Sequence, residues 1–312
     1  FDGAGPGKHL VLNGHVDVFP VSKEPKKEGW SVEPWSGDIV EGKIYGRGAC
    51  DMKCGTSASI WTYIFLHRIK NKLNGRLTLT CVSDEETFGP WGSRWLIDNE
   101  TEVLGDCCLN GEPSSPYTIR YGEKGLLWLS FLVTTVGSHG AYTHASLSAT
   151  RLAAKLICEL EELEKIDFEL PKRLNDFIQQ SSSALDKGMG KGASGIVDKV
   201  TLNIGTISGG LKNNMVPGQC RFEADIRLPV GGNKNLIMDR IESILSHYPN
   251  VSMVENMYNP PSHCDPEGDM VAIIKKNVME IKGFSPTPVI SLGGTDARLW
   301  RYKGIPAYVY GP

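Results

Sequence analysis

The stretch HLVLNGHVDV, residues 9 to 18, carries the pattern on which the fold prediction rests. Its first half is a short apolar run, which predicts a buried strand, and the run leads into two polar side chains, His15 and Asp17. Residues two apart on a strand face the same side, so these two side chains are expected to project together. Polar residues at the end of a buried strand are typical of sites in open α/β sheets.

Short apolar runs alternate with amphipathic stretches around this segment. Such strand–helix alternation predicts a mostly parallel sheet covered by helices on both faces. The same pattern resumes after Pro266. The predicted strands are 9–18, 76–83, 107–110, 289–291 and 307–310, and the predicted helices are 55–68, 91–99 and 270–281.

The middle of the chain follows a different order. Apolar residues from Ala149 to Leu163 recur at helical spacing, between predicted strands on either side. The predicted strands are 124–136, 200–207, 219–228 and 251–255, and a second helix covers 234–248. The order βαββαβ is that of a ferredoxin-like unit, and we interpret the polar segment 165–199 as an insertion on its surface.

We therefore predict an α/β protein with two domains. An α/β/α sandwich occupies residues 1–119 and 263–312, and a ferredoxin-like lid or dimerisation domain is inserted at 120–262. Phe1 begins in a Gly-rich turn and the last predicted strand runs almost to Pro312, so we expect a chain truncated at both ends.

Composition excludes several classes of protein. The chain has 312 residues and a formal charge of -3, and it contains no basic run, which argues against a nucleic-acid surface. No apolar stretch approaches the roughly 20 residues that cross a bilayer. The eight cysteines are interpreted as reduced residues rather than as a disulfide framework or a zinc finger. We expect a cytoplasmic protein with neither nucleic acid nor membrane as a partner.

Four acidic or His clusters lie at strand ends or in the loops after them. Each has an ordinary explanation alone: Asp51 could cap a helix, and Glu112 could be a turn residue. Together they place one His and several carboxylates on one sheet, a donor set typical of zinc or a similar divalent ion. The clusters contain His15 and Asp17, Asp51, Asp84 to Glu86, and Glu112.

These motifs resemble those of the M20 family of metallopeptidases and amidohydrolases, which includes acetylornithine deacetylase, succinyl-diaminopimelate desuccinylase, aminoacylase-1 and glutamate carboxypeptidase. The resemblance runs from His15 to Asp296. It implies two divalent metal ions, zinc first with cobalt or manganese as alternatives. It assigns one ion to His15, Asp51 and Glu112, and the second to Asp51, Glu86 and a His that would lie beyond residue 312.

The resemblance also implies a division of labour between neighbouring carboxylates. Asp17 would orient His15, Glu86 would be a metal ligand, and Glu85 would be the general base that moves the proton of the attacking water. Spacing alone does not choose between Glu85 and Glu86, so this assignment comes from the family.

Further residues are assigned to the substrate by the same resemblance. His139 would reach into the active site of a second copy of the chain, although a His in a loop after a strand also fits. Asn214, Arg227 and Thr295 would bind the substrate. Arg298 would do so as well, or would form a structural ion pair. The tryptophans near the entry are interpreted as packing residues: Trp30, Trp35, Trp91 and Trp95.

The leading functional prediction is deacylation of an N-acyl amino acid by a metal-bound hydroxide, in a homodimer that acts on small molecules. A dipeptidase or carboxypeptidase acting on short peptides is the alternative, because it would use the same catalytic residues. A non-catalytic homologue predicts loss of the base or the ligands, yet the five assigned to this chain are intact: His15, Asp51, Glu85, Glu86 and Glu112. A structural dimerisation protein would not need the paired carboxylates.

Overall fold

The structure is a computed structural model and describes residues 1–312. The chain forms two compact units. The sandwich unit contains Phe1–Gly122, Gln180–Lys191 and His263–Pro312, and the lid unit contains Glu123–Gln179 and Gly192–Ser262. Residues 180–191, part of the segment interpreted as an insertion on the lid, therefore pack with the sandwich unit.

The sandwich unit is built on a seven-stranded sheet. Its strands are β1 (Gly5–His15), β4 (Asn74–Val82), β5 (Cys107–Asn110), β6 (Thr118–Glu123), β13 (Ser262–His263), β14 (Thr287–Ser291) and β15 (Ala307–Val309), and a separate hairpin joins β2 (Ile39–Val40) to β3 (Lys43–Ile44). The order is β13-β6-β15-β5-β1-β4, with β14 paired to β6. β1 lies parallel to β4 and β5, and β15 is parallel to β5, so these strands end at one edge of the sheet.

Helices cover this sheet: α1 (Gly55–Arg68), α2 (Ser93–Asn99), α5 (Ser182–Met189), α7 (Asp269–Lys282) and α8 (Ala297–Tyr302). One core cluster joins α8 to the central strands, where Val11, Cys108 and Trp300 are fully buried. Burying each large apolar side chain of this kind stabilises the fold by about 1.5–3 kcal/mol. This packing fixes the strand ends that carry the polar clusters.

The lid unit has the βαββαβ order of a ferredoxin-like fold. Its elements are β7 (Gly125–Thr134), α3 (Ala149–Leu160), β9 (Thr201–Gly209), β11 (Gln219–Leu228), α6 (Lys234–Leu245) and β12 (Val251–Asn259), together with β8 (Ser138–His139), α4 (Lys172–Gln180) and β10 (Met215–Val216). The antiparallel sheet has the order β12-β7-β11-β9. Alternate residues of β11 are buried, and Phe131 stacks on Phe222 in the core at 4.6 Å between ring centroids.

The predicted fold class is confirmed, and several element bounds agree closely. α1, β5 and β11 have the predicted bounds, and Ala149, Leu156 and Leu160 of the predicted helical face are buried in the lid core. β6, α4, α5 and α8 were not predicted, and neither were the two-residue strands β2, β3, β8, β10 and β13. α8 has only six residues, too few to show a period, and α4 and α5 each bury only one or two side chains. None of the helices combines the length and apolar character that crossing a bilayer requires.

Candidate metal centre

The site residues follow strands that end at the same edge of the sandwich sheet. β1 ends at His15, the Glu85–Glu86 turn comes three residues after β4, and Glu112 lies two residues after β5. Asp51 comes from a kinked helical turn, Ala49–Cys54, that leads directly into α1. The carboxyl ends of parallel strands lie at the same edge of a sheet, which explains why segments far apart in sequence meet here.

Three of the predicted metal ligands converge on one point. The His15 Nε2 atom lies 3.0 Å from Glu112 Oε1 and 3.2 Å from Asp51 Oδ1. Donor atoms of the three residues all lie within 4.8 Å of one another. His15 and Glu112 are buried, whereas Asp51 is exposed, so the cluster is open on the Asp51 side.

Asp17 holds the other side of the His15 ring. The Nδ1 atom lies 3.0 Å from the Asp17 backbone oxygen and 3.3 Å from its carboxylate Oδ1. The second carboxylate oxygen of Asp17 accepts a hydrogen bond from the Glu86 backbone N–H at 3.0 Å. Asp17 therefore turns Nε2 of His15 towards the carboxylates and ties the end of β1 to the Glu85–Glu86 turn.

The electrostatics of the cluster indicate an excess of negative charge. Burial lowers the pKa of His15, but the carboxylates of Asp51 and Glu112, which lie close to its Nε2 atom, outweigh this effect and raise the pKa to about 11. Burial raises the pKa of Glu112 to about 7 even though His15 opposes the shift. Burial and neighbouring carboxylates thus make the ionised acids costly unless a cation lies among them.

The residues present fit a divalent cation. His15 Nε2 is buried and makes no hydrogen bond of good geometry, although two carboxylates lie close to it. One imidazole nitrogen with two carboxylates is a donor set that zinc and similar ions accept. We conclude that His15, Asp51 and Glu112 are suited to hold one such ion.

Glu85 lies beside this cluster and has a different environment. Its Oε2 atom is 3.9 Å from His15 Nε2, and its Oε1 atom is 3.7 Å from Nη1 of Arg298. Burial first, and then Asp296 and Glu112, raise the pKa of Glu85 to about 9, while Arg298 opposes the shift. A buried carboxyl with a strongly raised pKa is typical of a group that transfers protons.

Glu86 and the residues predicted to bind substrate are placed as follows in the sandwich unit. Glu86 is half-buried, and its Oε1 atom accepts the Phe19 N–H at 3.2 Å, outside the three-ligand cluster. Thr295 is buried, and its backbone oxygen accepts a hydrogen bond from Arg298 Nη1. The Arg298 guanidinium is itself buried and lies over the ring of Phe88 at 4.7 Å.

A buried polar chain under the site was not predicted from the sequence. Asn110 donates to Asn13 at 2.7 Å, Asn13 donates to the Ser93 hydroxyl at 3.2 Å, and that hydroxyl donates to the Asp296 carboxylate at 2.6 Å. Asp296 is buried and contributes to the raised pKa of Glu85. The available signal was an Asn next to apolar residues in each of two strands, Asn13 in β1 and Asn110 at the end of β5.

Asp84 is a second residue that the sequence did not assign. Its backbone lies in the left-handed region with φ of 94°, and its carboxylate accepts the backbone N–H groups of Trp91 and Gly92. These bonds explain why α2 begins at Ser93 rather than at Trp91 as predicted. They also fix the loop that carries Glu85.

His139, Asn214 and Arg227 all lie in the lid unit. His139 is exposed on β8, and its Nδ1 atom accepts the Ala141 N–H at 3.2 Å. Asn214 is adjacent, because its backbone oxygen accepts the Gly140 N–H at 2.7 Å. Arg227 on β11 donates two hydrogen bonds to Oδ2 of Asp225, at 2.8 and 3.1 Å.

The chain belongs to the peptidase family M20/M25/M40, whose model matches residues 11–312. The family predicted from the motifs is therefore confirmed. Members of this family are metal-dependent hydrolases, and this chain is accordingly an enzyme that acts on amide bonds.

Similar proteins agree with this assignment. Succinyl-diaminopimelate desuccinylases are 28% identical, one from Cereibacter sphaeroides over 95% of this chain and 73% of its own length, and one from Hahella chejuensis over 97% and 74%. Among solved structures, the M20 family metallo-carboxypeptidase Sso-CP2 from Sulfolobus solfataricus aligns with a TM-score of 0.81, 21% identity, and 97% of this chain and 77% of that one covered. Human carnosine dipeptidase 1 aligns with a TM-score of 0.72, 17% identity, and 99% and 74% covered.

Proposed function

We propose that this chain removes the acyl group from an N-acyl amino acid and uses two divalent ions, zinc first. The observation that carries the proposal is the cluster of His15, Asp51 and Glu112 with Glu85 beside it. The desuccinylase relatives, whose name describes removal of an acyl group, support the choice of substrate. Glu86 and Asp51 would supply ligands to the second ion.

Bound divalent ions would polarise the scissile carbonyl and lower the pKa of a coordinated water. Glu85 would take the proton of the attacking water and deliver it to the leaving amine. Burial suits Glu85 to this role because it raises the pKa of the carboxyl towards the pKa of a metal-bound water and of the leaving amine.

Arg298 would act through Glu85 rather than on the substrate. Its guanidinium is buried, donates to the Thr295 backbone and lies 3.7 Å from the Glu85 carboxylate. These contacts favour the ion-pair alternative for Arg298. The amino-acid carboxylate would then be bound by Arg227, because a planar guanidinium pairs with a carboxylate through two hydrogen bonds. Asn214 would bind another part of the substrate.

We further propose a cytoplasmic homodimer in which His139 serves the active site of the second copy. The exposed position of His139 on β8 is compatible with such a role. Sedimentation of the zinc-loaded chain should then give twice the mass of 34.2 kDa, and mixing two inactive variants, His139→Ala and Glu85→Gln, should restore part of the activity. A monomer, or no restoration, would contradict this arrangement.

A substrate panel tests the function. The zinc-loaded protein is incubated with N-acyl amino acids and with dipeptides, and the products are identified by mass spectrometry. We expect release of acyl groups that EDTA abolishes. Cleavage of dipeptides alone would replace the acylase with a dipeptidase or carboxypeptidase, and no turnover with metal bound would reject both.

A further inference from the structure

A small cavity in the sandwich unit has no role in the chemistry described so far. It measures about 470 Å³, and its lining contains aromatic, aliphatic and charged side chains: Phe19, Pro20, Val21, Ser22, Glu28, Trp30 and Arg47. The size is in the range of small-molecule sites, which are mostly apolar with a few polar groups that fix orientation.

The two chain segments that line the cavity are adjacent in sequence to residues of the metal centre. Phe19 lies two residues after Asp17, and its backbone N–H donates to the Glu86 carboxylate at 3.2 Å. On the opposite wall, Arg47 lies four residues before Asp51. The Phe19 wall of the cavity therefore contacts Glu86, one of the predicted metal ligands.

Arg47 is the cation of the cavity, and it has no anionic partner within the protein. Its guanidinium lies over the Trp30 ring at 5.3 Å, and its Nε atom is buried without a hydrogen-bond partner. A buried donor left unpaired costs about 1–3 kcal/mol. A ligand carboxylate would recover this cost and accept two parallel hydrogen bonds from the guanidinium.

Glu28 is the other charged residue of the lining, and its geometry leaves Arg47 available. The Glu28 side chain is exposed and accepts the Ser22 N–H at 3.5 Å, and no ion pair joins it to Arg47. The cavity thus has a cation against an aromatic wall and an anion that faces solvent.

We propose that this cavity is the subsite for the acyl group, and that Arg47 selects acyl chains that end in a carboxylate. The proposal rests on the proposed function and deepens it. It assigns Phe19 and Trp30 to the methylene chain and the Arg47 guanidinium to the terminal carboxylate.

The test compares N-glutaryl-L-alanine with N-glutaramoyl-L-alanine, in which an uncharged amide replaces the terminal carboxylate. The zinc-loaded enzyme should have a kcat/KM at least about 10-fold higher for the glutaryl compound, since a charged hydrogen-bonded pair contributes about 1.5–3 kcal/mol. Arg47→Met keeps an apolar stem over Trp30 and should bring the ratio close to one. A ratio that survives in Arg47→Met would overturn the proposal.

A matched control is available in α1, where the Arg68 guanidinium lies over the Phe65 ring at 5.6 Å on an exposed surface. Arg68→Met should leave the ratio of the wild type intact, and Glu28→Gln should not lower it. Loss of the ratio in either variant would mean that Arg47→Met acts through general damage, which overturns the assignment.

Equilibrium binding separates this proposal from the proposed function. Glutarate and glutaramate are titrated into the zinc-loaded proteins by calorimetry, so no turnover is needed. We expect glutarate to bind at least about 10-fold more tightly to the wild type and Arg68→Met, and equally with glutaramate to Arg47→Met. Equal binding to the wild type would reject the subsite, whereas tight glutarate binding without deacylation would reject only the acylase.

Discussion

The metal centre of the sandwich unit and the candidate substrate residues of the lid unit differ in how far the protein satisfies them. His15, Asp51 and Glu112 crowd together with their charges unbalanced, and Nε2 of His15 has no hydrogen-bond partner. In the lid, Arg227 already has Asp225, and His139 accepts the Ala141 N–H. The first set requires a ligand to reach a low free energy, whereas the second is stable without one.

Replacing Glu85 tests the catalytic half of this comparison and should have the largest effect. Glu85→Gln should retain metal yet lose about 10²–10⁴-fold in kcat, because only proton transfer is removed. Glu100→Gln, an exposed residue of the same unit, is the control and should be unaffected. Stopped-flow rates and metal analysis of both variants give the answer. Retention of more than about a tenth of the rate in Glu85→Gln would assign the base elsewhere.

Adding metal tests whether the sandwich cluster needs a ligand. A free zinc concentration of 100 times the Kd should raise the free energy of unfolding by about 2.7 kcal/mol, since only the folded state has the site. His15→Ala should abolish the increase, and the exposed His67→Gln should keep it. Urea unfolding with and without zinc measures both. An undiminished increase in His15→Ala would place the ion at another site.

The pH dependence of stability tests a buried cation of the lid whose hydrogen bonds are made within the protein. Lys124 donates to the backbone oxygens of Ile196 and Lys199, both at 2.7 Å, and burial first and then Arg227 lower its pKa to about 8. Between pH 8 and the unfolded value of 10.5, the unfolded state binds more protons, so this group makes stability rise with pH.

The expected gain for Lys124 is about 1–3 kcal/mol between pH 7.5 and 10 relative to Lys124→Met, from a shift of this size at 1.36 kcal/mol per pKa unit. Unfolding free energies at the two pH values measure it. Lys155→Met, exposed on α3, should follow the wild type at both. A pH-independent difference between Lys124→Met and the wild type would mean that Lys124 titrates normally.

Breaking the lid pair should have the smallest effect. Asp225 and Arg227 are both partly exposed to water, so Asp225→Asn should lower the free energy of unfolding by about 1 kcal/mol or less. Metal content should not change. Chemical denaturation and zinc analysis test both statements. A loss of several kcal/mol in unfolding free energy would show that Arg227 depends on Asp225 as strongly as the metal cluster depends on its ion.

The local part of the candidate site could be predicted because two of the ligands, His15 and Glu112, lie at the end of an apolar strand or just after one. His15 and Glu112 follow strands whose hydrophobic pattern is unambiguous, and the family motif supplied their roles. The sequence left two roles open for Arg298 and assigned none to Asp296, since a buried arginine and a buried aspartate look like surface residues in a short polar segment.

Sequence by itself determined the two periodicities, and with them the α/β sandwich and the βαββαβ lid, because burial on one face imposes a period of two or 3.6 residues. Tertiary structure alone decided that Asn13, Asn110 and Ser93 form one buried chain, that residues 180–191 pack with the sandwich unit, and that Arg47 lies over Trp30 without an anion. These contacts join residues from distant segments of the chain, and a local sequence pattern does not show which distant residues come into contact.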